Sequence, residues 1–154
     1  MKYLRFYDIR ARIQHRTRDT FSMFYKTLKP FINSQACYFP GENLPIDEQL
    51  FQCKSMCSFI QYKASKPEKF KIKFWCLVDN EQKLLSNTIP YLEKEPTRVI
   101  NSPVSLYVCE QLMNPYFNKG YNVTMDNYFT SLLLAQKFLS KIQKLLVQLE
   151  KTWN

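Results

Sequence analysis

His15 is the chain's only histidine, set in the basic stretch RIQHRTR with nothing beside it to orient an imidazole. A Ser-His-Asp hydrolase depends on that orientation and on a nucleophile elbow, and no GxSxG occurs, so acyl-transfer chemistry has no seat here. One histidine also rules out HExxH, and the two glycines, Gly41 and Gly120, are too few for a GxGxxG fingerprint or a P-loop. Cys37, Cys53, Cys57, Cys76 and Cys109 form an odd set in a chain that opens without a signal peptide, which reads as reduced thiols rather than a disulfide framework. Cys53 and Cys57 stand at a spacing that begins a zinc site, but no second Cys or His pair completes it. Chemistry is left to carboxylates and cations.

The 22 Lys and Arg outnumber 13 Asp and Glu, for a formal charge of +9. Such a surplus suits an anionic partner, either nucleic acid or an acidic membrane surface. The densest cations are Lys63, Lys66, Lys69, Lys71 and Lys73, with Arg5, Arg10, Arg12, Arg16 and Arg18 as a second run. Phosphate contacts draw on such clusters, and a solvated surface carries the same charges with no difference in sequence. The opening MKYLRFYDIR interleaves charges where a signal peptide needs an apolar stretch, and no run nears the ~18 apolar residues of a membrane span. A soluble intracellular protein without membrane contact is expected. At 154 residues, 45% hydrophobic and 16% aromatic, the chain can pack one domain around a core.

The elements that must position these groups follow from periodicity. Phe21, Phe24, Tyr25 and Leu28 recur at helical spacing from Asp19 onward, and Pro30 is expected to end that helix. Leu44 to Phe51 reads as a strand with Asp47 in its middle, after a loop containing Pro40-Gly41. Phe70 to Val78 is the clearest strand: Ile72, Phe74, Cys76 and Val78 share one face, and Lys71, Lys73, Trp75 and Leu77 the other. A turn at Asp79-Asn80, formed through the Asp79 side chain, leads to a partner strand within Leu84 to Leu92. Ser102-Pro103 reads as a helix start, with Ser102 as cap and Pro103 first in the helix, running to Met113 before Asn114-Pro115. Tyr121 to Met125 alternates as a strand ending at Asp126, Ala135, Phe138, Leu139 and Ile142 mark one more amphipathic helix, and Lys144 to Leu149 reads as a buried strand. The Trp75 ring and its fellow aromatics are expected to pack in the core.

Three strands, then helix, strand, helix, strand is the ribonuclease H-like order, here an α/β fold with an incomplete mixed sheet. Residues 1–32 read as a basic helical arm and 33–154 as the partial domain. Four stretches then resemble the piggyBac transposase family. PGENLPIDEQL (Pro40 to Leu50) is similar to its Pro-Gly then Ile-Asp-Glu pattern, and QYKASKPEKFKIKFWCLVDN (Gln61 to Asn80) to its Lys-Pro, Lys-aromatic, Ile-Lys run ending in aspartate. NVTMDNYFTSLLLA (Asn122 to Ala135) resembles the Asp-Asn-aromatic-Phe-Thr-Ser signature, and LRFYDIRARIQHRTRDTF (Leu4 to Phe21) the stretch upstream.

The resemblance implies that Asp47 and Asp126, 79 positions apart, are the first two of three catalytic aspartates of a DDD transposase that holds Mg²⁺ and acts on DNA in the nucleus. It implies DNA contacts for parts of the domain, with Lys63, Lys66, Lys69, Lys71, Lys73, Arg12 and Arg16 as candidates. In isolation, Asp126 beside its turn reads instead as a cap of the helix opening near Thr130-Ser131, and only the flanking matches favour a metal ligand.

The chain departs from the family pattern in three ways. No third catalytic aspartate is found, and Glu150 reads as a solvated charge. The family's cysteine-rich C-terminal module is missing. Phe51-Gln52-Cys53-Lys54 and Gln148 stand where relatives carry glycine, at about 1 kcal/mol each if those glycines served positive φ. The expectation is a remnant of a metal-dependent transposase, no longer cutting DNA and binding it weakly. The alternatives are a domesticated module that binds a related transposase or a second copy of itself, and a truncated gene model of an active enzyme.

Overall fold

The computed structural model describes residues 21–53, 58–62, 64, 69–92, 102–141 and 144–148 of the 154. Arg12, Arg16, Lys63, Lys66, Cys57, Ile142, Glu150 and most of the basic arm lie outside them. In chain order come α1 (Ser22–Ser34), a 3₁₀ turn (Gln35–Cys37), β1 (Asn43–Gln52), β2 (Gln61–Tyr62), β3 (Phe70–Val78) and β4 (Leu85–Pro90). Then follow α2 (Val104–Met113), a second 3₁₀ turn (Asn114–Tyr116), β5 (Asn122–Asp126), α3 (Leu132–Ser140) and β6 (Lys144–Gln148). The two-residue β2 is too short to carry a periodic signal, and periodicity does not reveal it.

The strands form one mixed sheet. β1 runs antiparallel to β3 and parallel to β5, and β5 runs parallel to β6. Beyond β3, one edge is shared by β2 at Phe70–Lys71 and by β4 at Phe74–Val78. A parallel pair needs a crossover, and α3 supplies it between β5 and β6.

The alternation of β3 covers both faces of the sheet. Trp75 and Leu77 join Leu44 and Ile46 of β1, Val123 and Met125 of β5, and the buried sides of α2 and α3 in the main core. Ile72 and Phe74 point the other way, onto a smaller cluster with Phe21, Phe24, Leu28 and Phe59 that seats α1. Each face therefore has its own helical cover, as expected where β3 is apolar on both sides.

Local signals failed at three places, each overridden by packing. Pro30 does not end α1; the helix continues to Ser34 with the proline inside it. Phe21, Phe24 and Leu28 anchor the helix to the sheet, and that anchoring outweighs the hydrogen bond a proline removes. Ser102 does not cap α2, because Pro103 itself is the capping residue, with ψ of 139°, and its carbonyl accepts from Tyr107 N–H. The buried side of α3 is the expected Phe138 together with Leu134, while Ala135 is half-buried and Leu139 is 67% exposed. Phe138 is drawn inward by an edge-on contact with Phe117 at 5.6 Å.

Candidate active site on two adjacent parallel strands

Asp47 follows the buried Ile46 and so projects from the opposite, exposed side of β1. Asp126 is the last residue of β5 and is also exposed. The parallel register pairs Asn43 with Asn122, Leu44 with Val123, Pro45 with Thr124 and Ile46 with Met125. One further step sets Asp47 level with Asp126 on strands about 4.8 Å apart. Residues 79 positions apart in sequence thus come to neighbouring points at one end of the sheet.

Neither aspartate forms an ion pair among the described residues. The Asp47 carboxylate accepts from Glu48 N–H at 2.6 Å, and that of Asp126 accepts loosely from Phe129 N–H at 3.4 Å. Capping of α3 falls to Ser131, whose hydroxyl oxygen accepts from Leu134 N–H at 3.2 Å, while Thr130 Oγ1 donates to the Asp126 carbonyl at 2.9 Å. Two exposed hard carboxylates at one end of adjacent strands, unpaired with any cation among the described residues, suit Mg²⁺ in donor chemistry. Among the described residues no group of three His, Cys, Asp or Glu gathers to hold a metal.

Glu48, the carboxylate next to Asp47, is engaged by Lys73 in an ion pair. Lys73 also lies over the Trp75 ring, 3.7 Å from its centroid, so its charge is spent within the sheet. Of the other basic candidates described, Lys69 is exposed and Lys71 half-buried. Tyr128 completes this neighbourhood, its ring stacked on Trp75 at 5.9 Å with 15° between planes. Burial first, then the nearby Tyr91, Glu48 and Asp126, raise its hydroxyl pKa and keep it neutral. Sequence reasoning passed over Glu48 and Tyr128. The signal available was Glu48 beside Asp47 and an aromatic two residues past Asp126, but only the cross-strand pairing of Glu48 with Trp75 joins them.

Asp79 behaves as the turn residue expected. It is fully buried, and its carboxylate accepts from the Tyr38 hydroxyl and from the N–H groups of Gly41 at 2.8 Å, Glu81 at 2.7 Å and Gln82 at 3.2 Å. Burial alone would raise its pKa, but these donors reverse the sign and bring it to about 2. Cys37, Cys76 and Cys109 are free thiols; burial pushes Cys109 up to about 12 and raises Cys76 too, so the two buried thiols stay protonated. Cys53 and Gln148 have no positive φ, so that strain is absent at the described positions where family glycines were expected. A cavity of about 190 Å³ opens among Ile32, Gln35, Tyr38, Asn87, Tyr116 and Tyr121, and neither aspartate lines it.

With this geometry in hand, the comparisons are direct. Residues 1–152 match the family model described as Transposase IS4. A solved piggyBac transposase, in a synaptic complex with hairpin DNA, is 31% identical and superposes with a TM-score of 0.84 over 98% of this chain. The chain spans 32% of the length of that solved chain. No curated protein matches. The mixed sheet is accordingly the ribonuclease H-like one, and the chain belongs to the transposase IS4 family as a piggyBac transposase-related fragment.

Proposed function

We propose that this is a transposase-derived DNA-binding domain in which Asp47 and Asp126 hold a divalent cation, and that the 154-residue polypeptide by itself does not cut DNA. One observation carries the reading: the parallel ladder that ends at Ile46 and Met125 is followed on each strand by an aspartate, Asp47 and Asp126, in a transposase-family sheet. A bound Mg²⁺ would supply charge stabilisation to phosphate oxygens. The chain's own residues would orient it, Asp47 from mid-strand and Asp126 from a strand end braced by the turn through Thr130. Glu48 is a poor third ligand because Lys73 already neutralises it. Two ligands hold a reluctantly dehydrated ion loosely, and small misplacements cost on the order of a hundredfold in rate.

Weak, sequence-independent DNA binding would come from phosphate contacts by Lys69 and Lys71, together with Lys63, Lys66, Arg12 and Arg16, with Lys73 held instead by Glu48, and would place the protein's work in the nucleus. Affinity in the ~10⁻⁴ to 10⁻⁶ M range at physiological salt is what such contacts supply. The experiment titrates duplex DNA at rising salt and incubates supercoiled DNA with Mg²⁺ or Mn²⁺. A steep inverse salt dependence with no nicking is expected. Nicking abolished by Asp47→Ala would refute the inert reading.

A second reading, in which the domain binds a related transposase or its own copy, is favoured by the exposed Leu132, Leu133 and Leu139 on α3. No duplex binding even at low salt, with concentration-dependent self-association, would establish it instead.

A further inference from the structure

Tyr128 lies in the turn between β5 and α3, two residues past Asp126, and is 59% exposed. Its ring is fixed from beneath and open above. It stacks on Trp75, which is 1% exposed, and meets Phe129 edge-on at 5.2 Å and 88°. Trp75 is itself pinned edge-on by Tyr91 at 6.1 Å and by Phe129 at 5.2 Å. The Lys73 ammonium, tied to Glu48, sits 3.7 Å from the Trp75 centroid and 5.8 Å from that of Tyr128. The outer ring is therefore positioned in advance, and little side-chain freedom is left to lose when a flat partner lands on it.

We propose that Tyr128 is a stacking platform for an unpaired DNA base, placed in the turn two residues past Asp126. Every base has a π-face, so such a platform accepts any sequence, and it selects unpaired strands because a base inside a duplex already stacks on its neighbours. The inference rests on the DNA-binding reading above.

The test uses the full chain, a short single strand carrying 2-aminopurine, and the blunt duplex of the same sequence. Wild type should bind both and quench the 2-aminopurine. Tyr128→Ala should weaken single-strand binding about ten- to a hundredfold and leave duplex binding unchanged. Tyr128→Phe should behave as wild type, and Tyr128→Leu, which keeps apolar cover over Trp75, should behave as Ala, with circular dichroism confirming each fold. Unchanged single-strand affinity in Tyr128→Leu, or equal losses on both DNAs, overturns the stacking role and leaves the DNA reading intact. Failure of the wild type to bind either DNA overturns that reading, and the inference with it.

Discussion

Asp79 shows how one carboxylate holds together segments distant in sequence. Its four donors come from the loop before β1 and from the β3–β4 turn, so it fastens the entry of one strand to the exit of another. Because its folded pKa is depressed to about 2, its contribution is fully present above the unfolded value of about 4 and is lost as pH falls toward 2. Urea melts across that window should show wild type losing stability faster than Asp79→Asn, which starts lower at neutral pH. The partner hydroxyl of Tyr38 is pushed to about 12, chiefly by its bond to Asp79, so that half of the interaction persists below about pH 10 and fades as pH rises through 12. Replacing Asp126 should have little effect on stability. The residue is exposed and level with another carboxylate, so Asp126→Asn in metal-free buffer should shift stability by no more than about 0.5 kcal/mol, upward if at all. A loss well above that would mean Asp126 is a structural residue.

At the scale of elements, α1 and α3 show where local rules give way. Pro30 is exposed and inside α1, where it offers no N–H to the carbonyl four residues earlier. Pro30→Ala should therefore stabilise the fold by about 1–3 kcal/mol, somewhat offset by the freer unfolded chain, as read by thermal melts. No gain would mean that the helix is strained elsewhere. In α3 the cap is Ser131, and Ser131→Ala should cost about 1 kcal/mol while Ser131→Asp is nearly neutral. Phe138→Ala should cost about 3–5 kcal/mol, because that ring is fully buried against Phe117 and the main core. Leu139→Ala, on the exposed side of the same helix, should cost little.

Across the whole molecule, the helix at the end of the N-terminal arm is part of the fold's second core. Phe21 meets Phe59 at 5.5 Å and Phe74 at 5.8 Å, covering the sheet face opposite α2 and α3. Deleting residues 1–34 should expose Ile72, Phe74 and Phe59, lower the melting temperature and raise binding of a hydrophobic dye. A truncated chain as stable as the full one would show that the arm is an independent unit.

Much of this was legible in sequence because it is local. The nine-residue alternation of β3 declares both its strand and its two faces, since a pleat repeats every two residues. The stop at Asn114-Pro115, Asp79 in its turn and the order of elements follow from equally short-range rules. The positions of Asp47 and Asp126 on their strands could be read the same way, but their meeting could not, because it depends on the parallel register of β1 with β5. The same holds for Glu48, which finds Lys73 and Trp75 only across the β1–β3 ladder, and for Tyr128, whose ring is fixed by Trp75 from another strand. Propensity placed a cap at Asp126 and an end at Pro30. Ser131 takes the cap by an equally local bond to Leu134 N–H, whereas tertiary packing carried the helix past Pro30, because contacts between distant segments contribute more free energy than the local preference they override.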